Sequence, residues 1–173
     1  MADEIPDGEE DELTSRTPEQ ADLVELCRQL NSRGARYLVC GGFAIIQAGY
    51  PRLTGDIDLL VDASLENEAK VFAALETLPD KAVLQLDPGD IAKHIVCRVS
   101  DEVLVDLMGK AAGIDYAEAA RDIVVREVDG VAIPFASPLL LWRMKRHTHR
   151  VKDAPDLLFL RQLFEADGIT PPE

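Results

Sequence analysis

Strand-type and helix-type segments interleave along this 173-residue sequence, which predicts a mixed α/β (α+β) fold in one domain. Three observations carry that expectation. Residues 37–40 form a short apolar run suited to a buried strand, and the chain passes through Gly41 and Gly42 into an apolar helical stretch at 43–48. Asp56 opens a second strand-type run, Asp-Ile-Asp-Leu-Leu-Val, whose side chains alternate between two faces. Asp129-Gly130, set between strand-type residues 123–128 and 131–135, is the strongest two-residue hairpin signal in the chain.

The elements follow in order. Thr17-Pro18-Glu19-Gln20 reads as a capping box with proline at the first helical position, and Ala21, Leu23, Val24, Cys27 and Leu30 continue at helical spacing to about Ser32. Gly34 stops that helix. Gly49-Tyr50-Pro51 breaks the helix after the glycine pair. Ser64 caps a helix predicted to reach about Leu78, with Val71, Phe72, Leu75 and Leu78 inward. Residues 83–86 read as a short strand and Asp87-Pro88-Gly89-Asp90 as a loop. Strands at 94–99 and 102–107 are joined at Ser100-Asp101 in a hairpin, and residues 116–121 form a short helix. Ser137-Pro138 starts a helix that becomes basic (Arg143, Lys145, Arg146, Arg150, Lys152). Residues 153–164 make a last one, packed through Leu157, Leu158, Leu160, Leu163 and Phe164.

Composition bounds the function. The net charge of −14 argues against broad non-specific nucleic-acid binding, although a local basic channel is compatible with it. Part of that charge lies in residues 1–16, which read as a disordered acidic tail; 17–168 would be the folded domain and 169–173 a flexible C-terminus. No apolar stretch is long enough for a membrane span and no signal peptide is evident, so a cytoplasmic protein is expected. Cys27, Cys40 and Cys97 are scattered within apolar patterns, as buried free thiols are. The sequence has no internal repeats, no Walker-type glycine loop and no G-x-S-x-G elbow.

The chemistry concentrates at Asp56 and Asp58. On a strand they share one face, roughly 6.6 Å apart along the chain. At about 6 Å and an effective dielectric of ~20 such charges repel by roughly 3 kcal/mol, so the pair calls for protonation, solvation or a bridging cation. Hard oxygen donors on a rigid strand suit Mg²⁺ or Mn²⁺. Asp106 is flanked by Val105 and Leu107 near the end of an apolar strand, where a carboxylate is costly without a partner, and capping of the Gly109 turn is a structural use for it.

Strand, Gly41-Gly42, helix, short loop and Asp56-x-Asp58, with the lead-in Arg52-x-Thr54, resemble the signature of the nucleotidyltransferase superfamily typified by DNA polymerase beta. The later Ala-Ser-Pro-x-x-Leu-x-x-x-Lys, ending at Lys145 and followed by Asp153 and Asp156, resembles the C-terminal part of small nucleotidyltransferase-like proteins related to the AbiEii toxin group. The resemblance covers about residues 37–163. It implies a nucleotidyltransferase fold, a mixed twisted sheet with helices packed mainly on one side.

The same resemblance implies transfer of a nucleoside monophosphate from a nucleoside triphosphate. Asp56 and Asp58, with a third carboxylate on a nearby strand that Asp106 matches best and for which Asp101 and Glu102 compete, would be catalytic residues holding Mg²⁺ or Mn²⁺, and Gly41, Gly42, Arg52, Thr54 and Lys145 would bind the nucleotide. The acceptor, an RNA, small molecule or protein, is not specified by these residues, and a toxin-like enzyme would have a cognate antitoxin as partner. A nucleotide-binding or antitoxin-like module with the same fold and no turnover is the alternative. A D-x-D glycosyltransferase is disfavoured because too little chain precedes the motif.

Overall fold

The computed structural model describes residues 15–172. Helix α1 (Gln20–Ser32) leads into strand β1 (Tyr37–Cys40), helix α2 (Gly41–Gln47) and strand β2 (Asp56–Val61). Helix α3 (Leu65–Leu75), a 3-10 turn (Ala82–Gln85) and the one-turn α4 (Asp90–Lys93) precede the β3 (Cys97–Ser100) and β4 (Leu104–Met108) hairpin. A small ribbon of β5 (Lys110–Ala111) and β6 (Ile114–Asp115) then leads into α5 (Tyr116–Ala119). The hairpin of β7 (Ile123–Val128) and β8 (Val131–Ala136) is followed by α6 (Pro138–Lys145), a second 3-10 turn (Val151–Asp153) and α7 (Ala154–Ala166). The expected mixed α/β class is the class observed.

The main sheet has six strands in the order β3-β4-β2-β1-β8-β7. It is mixed: β2 runs parallel to β4 and β1 parallel to β8, whereas β1–β2, β3–β4 and β7–β8 are antiparallel. The central strand β1 is buried along its whole length, as is Leu59–Leu60–Val61 of β2. Each such aliphatic side chain removed from water contributes about 1.5–3 kcal/mol before entropy is counted, which makes the centre of the sheet the rigid part of the molecule. Asp129 and Gly130 both adopt positive φ (49° and 79°), as the tight β7–β8 hairpin turn requires.

Several boundaries differ from the sequence reading, each for a local reason. Helix α1 starts at Gln20, and its cap is Glu19, whose backbone N–H donates to Asp22 Oδ2 at 2.7 Å, in place of the expected Thr17–Gln20 box. Helix α3 ends at Leu75, three residues short of the expected Leu78. Residues 83–86 are not a strand. Lys81 has a left-handed φ of 50° and the buried Asp101 carboxylate accepts from the N–H groups of Asp80 (3.0 Å) and Ala82 (2.9 Å), which winds the chain into a 3-10 turn. Leu158 faces solvent on α7, whose inner side is Leu160 and Phe164.

The expected acidic tail falls mainly on residues 1–14, outside the described residues. Ser15 and Arg16 at its end are held: Ser15 Oγ donates to Asp101 O at 2.7 Å, and the Arg16 guanidinium pairs with both Asp22 oxygens at 2.7 Å. At the other end, Trp142 Nε1 donates to Pro172 O at 2.8 Å and its ring meets Phe164 edge-on at 5.9 Å, tying α6, α7 and the C-terminal segment together. Among the described residues no helix is long and apolar enough to cross a membrane. All three cysteines are buried and free.

Asp101 gives a direct test of this framework. It is buried and also accepts from the Glu102 N–H at 2.8 Å, so one carboxylate satisfies three backbone donors. Asp101→Ala strands those donors and is expected to cost about 2–4 kcal/mol in urea unfolding, whereas Asp101→Asn, keeping one acceptor oxygen, costs clearly less.

Candidate active site

The register of three neighbouring strands brings the acidic residues together. Asp58 of β2 lies opposite Asp106 of β4, and Asp56 lies opposite Leu104 two residues earlier. Because alternate residues share a face, Asp56, Asp58 and Asp106 all project to the same side of the sheet. One carboxylate oxygen from each lies within 4.8 Å of the others. Asp101, the competing third carboxylate, is committed to the backbone donors of the 3-10 turn, and Glu102 to Arg16 at 3.3 Å. The expected trio of Asp56, Asp58 and Asp106 is therefore assembled in space.

The glycine pair has a steric cause. Gly41 has φ +64°, and a Cβ there would sit 1.9 Å from Asp58 Oδ2. A Cβ on Gly42 would sit 2.3 Å from Thr54 Oγ1 and 3.2 Å from an Arg52 nitrogen. The two glycines thus open room for this chain's own Asp58 and Thr54 at the start of α2. Thr54 Oγ1 in turn donates to the Asp56 carbonyl at 3.2 Å, fixing the entry to β2.

Among the described residues one guanidinium bonds the trio, from a residue the sequence reading passed over. Arg98 on β3 lies opposite Asp106 and grips it through both oxygens, Nε to Oδ1 at 2.9 Å and a terminal nitrogen to Oδ2 at 3.0 Å. The same terminal nitrogen reaches Asp56 Oδ2 at 3.3 Å. Asp58 is left out: among the described residues its carboxylate accepts no hydrogen bond. Burial, then the charges of Asp56 and Asp106, push the Asp58 carboxyl up to about 8, against an opposing pull from Lys145 and Lys152. Asp56 is raised by burial and by Asp106.

Arg52 and Lys145 stand beside the trio in a second layer of charge. Arg52 holds Asp156 with two parallel bonds of 2.8 Å and donates a third to the Leu53 carbonyl at 2.8 Å. Lys145 is buried, with Nζ 3.0 Å from Asp153 Oδ1 and 3.4 Å from Asp156 Oδ2. Thr148 and Arg150 also donate to Asp153, each at 2.7 Å. Asp153 and Asp156, the acidic residues that follow Lys145 in the C-terminal motif, are buried counter-ions. His147 and His149 are exposed.

These two layers form the floor of a cleft of about 930 Å³. Its walls add Arg16, Lys110, Arg150 and Lys152, with Gly41 and Gly42 on one side. A carboxylate trio within a ring of cations suits an anionic ligand that brings or shares a divalent metal.

No family model and no curated protein matches the chain. Among solved structures, it is similar to a Thermotoga maritima protein named as a candidate nucleotidyltransferase, with a TM-score of 0.48 at 15% identity over 87% of this chain and 98% of that one. The functional reading rests on the site's own geometry.

Two substitutions separate the layers. Lys145→Ala leaves Asp153 and Asp156 buried with one cation fewer and is expected to cost about 3 kcal/mol of stability, read by thermal or urea unfolding; an unchanged midpoint would mean that the lysine is not structural. Asp58→Asn behaves in the opposite sense. A carboxyl whose folded pKa lies above its unfolded value contributes no penalty below about pH 4 and destabilises increasingly as pH rises toward about 8. In metal-free urea melts the variant should therefore match the wild type near pH 4 and exceed it by on the order of 2 kcal/mol or more at pH 8.

Proposed function

We propose that this chain is a metal-dependent nucleotidyltransferase that moves a nucleoside monophosphate from a nucleoside triphosphate to a hydroxyl or phosphate end of an acceptor. The observation that carries the proposal is the Asp56, Asp58 and Asp106 trio, held on rigid adjacent strands at the floor of a cation-lined cleft. The donor set fits Mg²⁺ or Mn²⁺: three hard carboxylates, of which the half-buried Asp58 has no hydrogen-bond donor of its own among the described residues. Such an ion, held by Asp56, Asp58 and Asp106, supplies charge neutralisation at the α-phosphate and lowers the cost of forming the attacking oxyanion.

The chain's own groups divide the remaining work. Gly41 and Gly42 keep the start of α2 clear so that Asp58 and Thr54 reach their places. Thr54 holds the Asp56 carbonyl and with it the direction of that carboxylate. Arg52 and Lys145 line the cleft from within their ion pairs and offset the charge of Asp153 and Asp156, while the more exposed Arg150 and Lys152 meet phosphate oxygens at its mouth. Asp106 takes the proton of the acceptor hydroxyl as that oxygen bonds the α-phosphorus and the bridge to pyrophosphate breaks. An RNA acceptor with a cognate antitoxin is one setting for this activity.

A second reading, a nucleotide-binding module without turnover, draws on a specific observation: Arg52, Arg98 and Lys145 are all engaged with this chain's carboxylates. Incubation with each α-³²P nucleoside triphosphate, Mg²⁺ and total RNA or cell lysate distinguishes the two, since only the enzyme leaves label on an acceptor. Both readings share one requirement. Calorimetric titration of the triphosphate should give binding in Mg²⁺ or Mn²⁺ and none in EDTA, because unscreened carboxylates repel the phosphates. Equal affinity in the two conditions would remove the trio from the site.

A further inference from the structure

The position of Arg98 carries a consequence for how a metal enters the trio. Its guanidinium binds both oxygens of Asp106 and one of Asp56, the contacts that a divalent ion on these carboxylates needs. It is also part of the cleft lining, on the strand immediately beside β4, with about one third of its side chain exposed. Asp58, by contrast, has no such partner among the described residues, so the trio is neutralised unevenly. Arg98 thus covers two ligands and leaves the third.

We propose that Arg98 is a built-in counter-ion of the carboxylate trio that competes with the divalent metal for Asp56 and Asp106. It keeps the metal-free site folded by compensating charge that would otherwise repel. Metal entry displaces it from these oxygens and leaves a guanidinium facing the cleft, where an anionic ligand can take it up. Metal and anion would then bind cooperatively, because each favours the released position of the same side chain. The inference rests on the metal-site reading above, and it assigns Arg98 a positioning role.

The test measures Mn²⁺ binding by calorimetry and by electron paramagnetic resonance, with no nucleotide and no turnover. Arg98→Gln removes the competing charge, so Mn²⁺ affinity should rise roughly ten- to hundredfold over wild type, and saturating Mn²⁺ should raise the melting temperature more in the variant than in wild type. Arg98→Lys, a single ammonium that cannot grip Asp106 and Asp56 together, should fall between the two; if the glutamine variant does not fold, the ranking of lysine above wild type decides. Unchanged or weaker Mn²⁺ affinity in the folded variants, with wild type binding, overturns the counter-ion role while leaving the metal site intact. Absence of Mn²⁺ binding in wild type and variants alike overturns the metal-site reading and the counter-ion role with it.

Discussion

Like charge held at short range on one face of a sheet is the constraint on which the rest of this structure turns. Three carboxylates projecting from β2 and β4 repel, and burial denies them water's screening. The surrounding fold answers that cost in several ways. The parallel register of β2 and β4 fixes the separation, Arg98 enters from the third strand, and Gly41 gives up its side chain so that Asp58 fits. None of these devices improves the hydrophobic core. Their common effect is to keep an electrostatically unfavourable cluster in one geometry, as expected of a site retained for chemistry.

Beneath this lies a second, better balanced cluster. Arg52, Lys145 and Arg150 face Asp153 and Asp156 in a chain of ion pairs in which both acids are buried. The two clusters differ in kind. The second pairs nearly every charge with bonds of good length and so acts as a joint between the loop before β2 and the start of α7. The stacking of Tyr50 on Phe159, at 5.2 Å between centroids, reinforces the same joint. The first cluster leaves Asp58 without a donor among the described residues and is the less balanced of the two.

Much of this was legible in the sequence, and the parts that were not share a physical cause. The D-x-D alternation, a local signal, placed Asp56 and Asp58 on one face, while Asp106, costly between Val105 and Leu107, was picked out as their partner by the family resemblance. Arg98 was hidden by register. A hairpin turning at Ser100-Asp101 alone would set Arg98 opposite Val103, whereas the observed loop spans residues 101–103 and pairs it with Asp106. An offset of an odd number of residues moves a side chain to the other face. The ion partners of Arg52 and Lys145 depend on long-range contacts, the Arg52–Asp156 pair being 104 residues apart, and no periodicity reports those. Asn67, Glu68 and Asp101 are each buried on backbone groups that needed a partner, which no local pattern reports.

The sheet order also has a bearing on how the molecule is made. Strand β1 is complete by residue 40, yet its parallel neighbour is β8, with Val39 beside Phe135. A ribosome must therefore synthesise nearly a hundred further residues before the middle of the sheet can close, and the Arg52–Asp156 joint must wait longer still. Such non-local pairing slows folding, since the loop-closure entropy comes before the contacts that repay it. The apolar strands β1 and β2 emerge early as an antiparallel pair with unsatisfied edges, the state in which a nascent chain is most open to chaperone capture or self-association. The carboxylate cleft is then among the last features to form, so a chain cut short before α6 would carry the D-x-D motif without Lys145, Arg150 and Lys152 of the cleft lining.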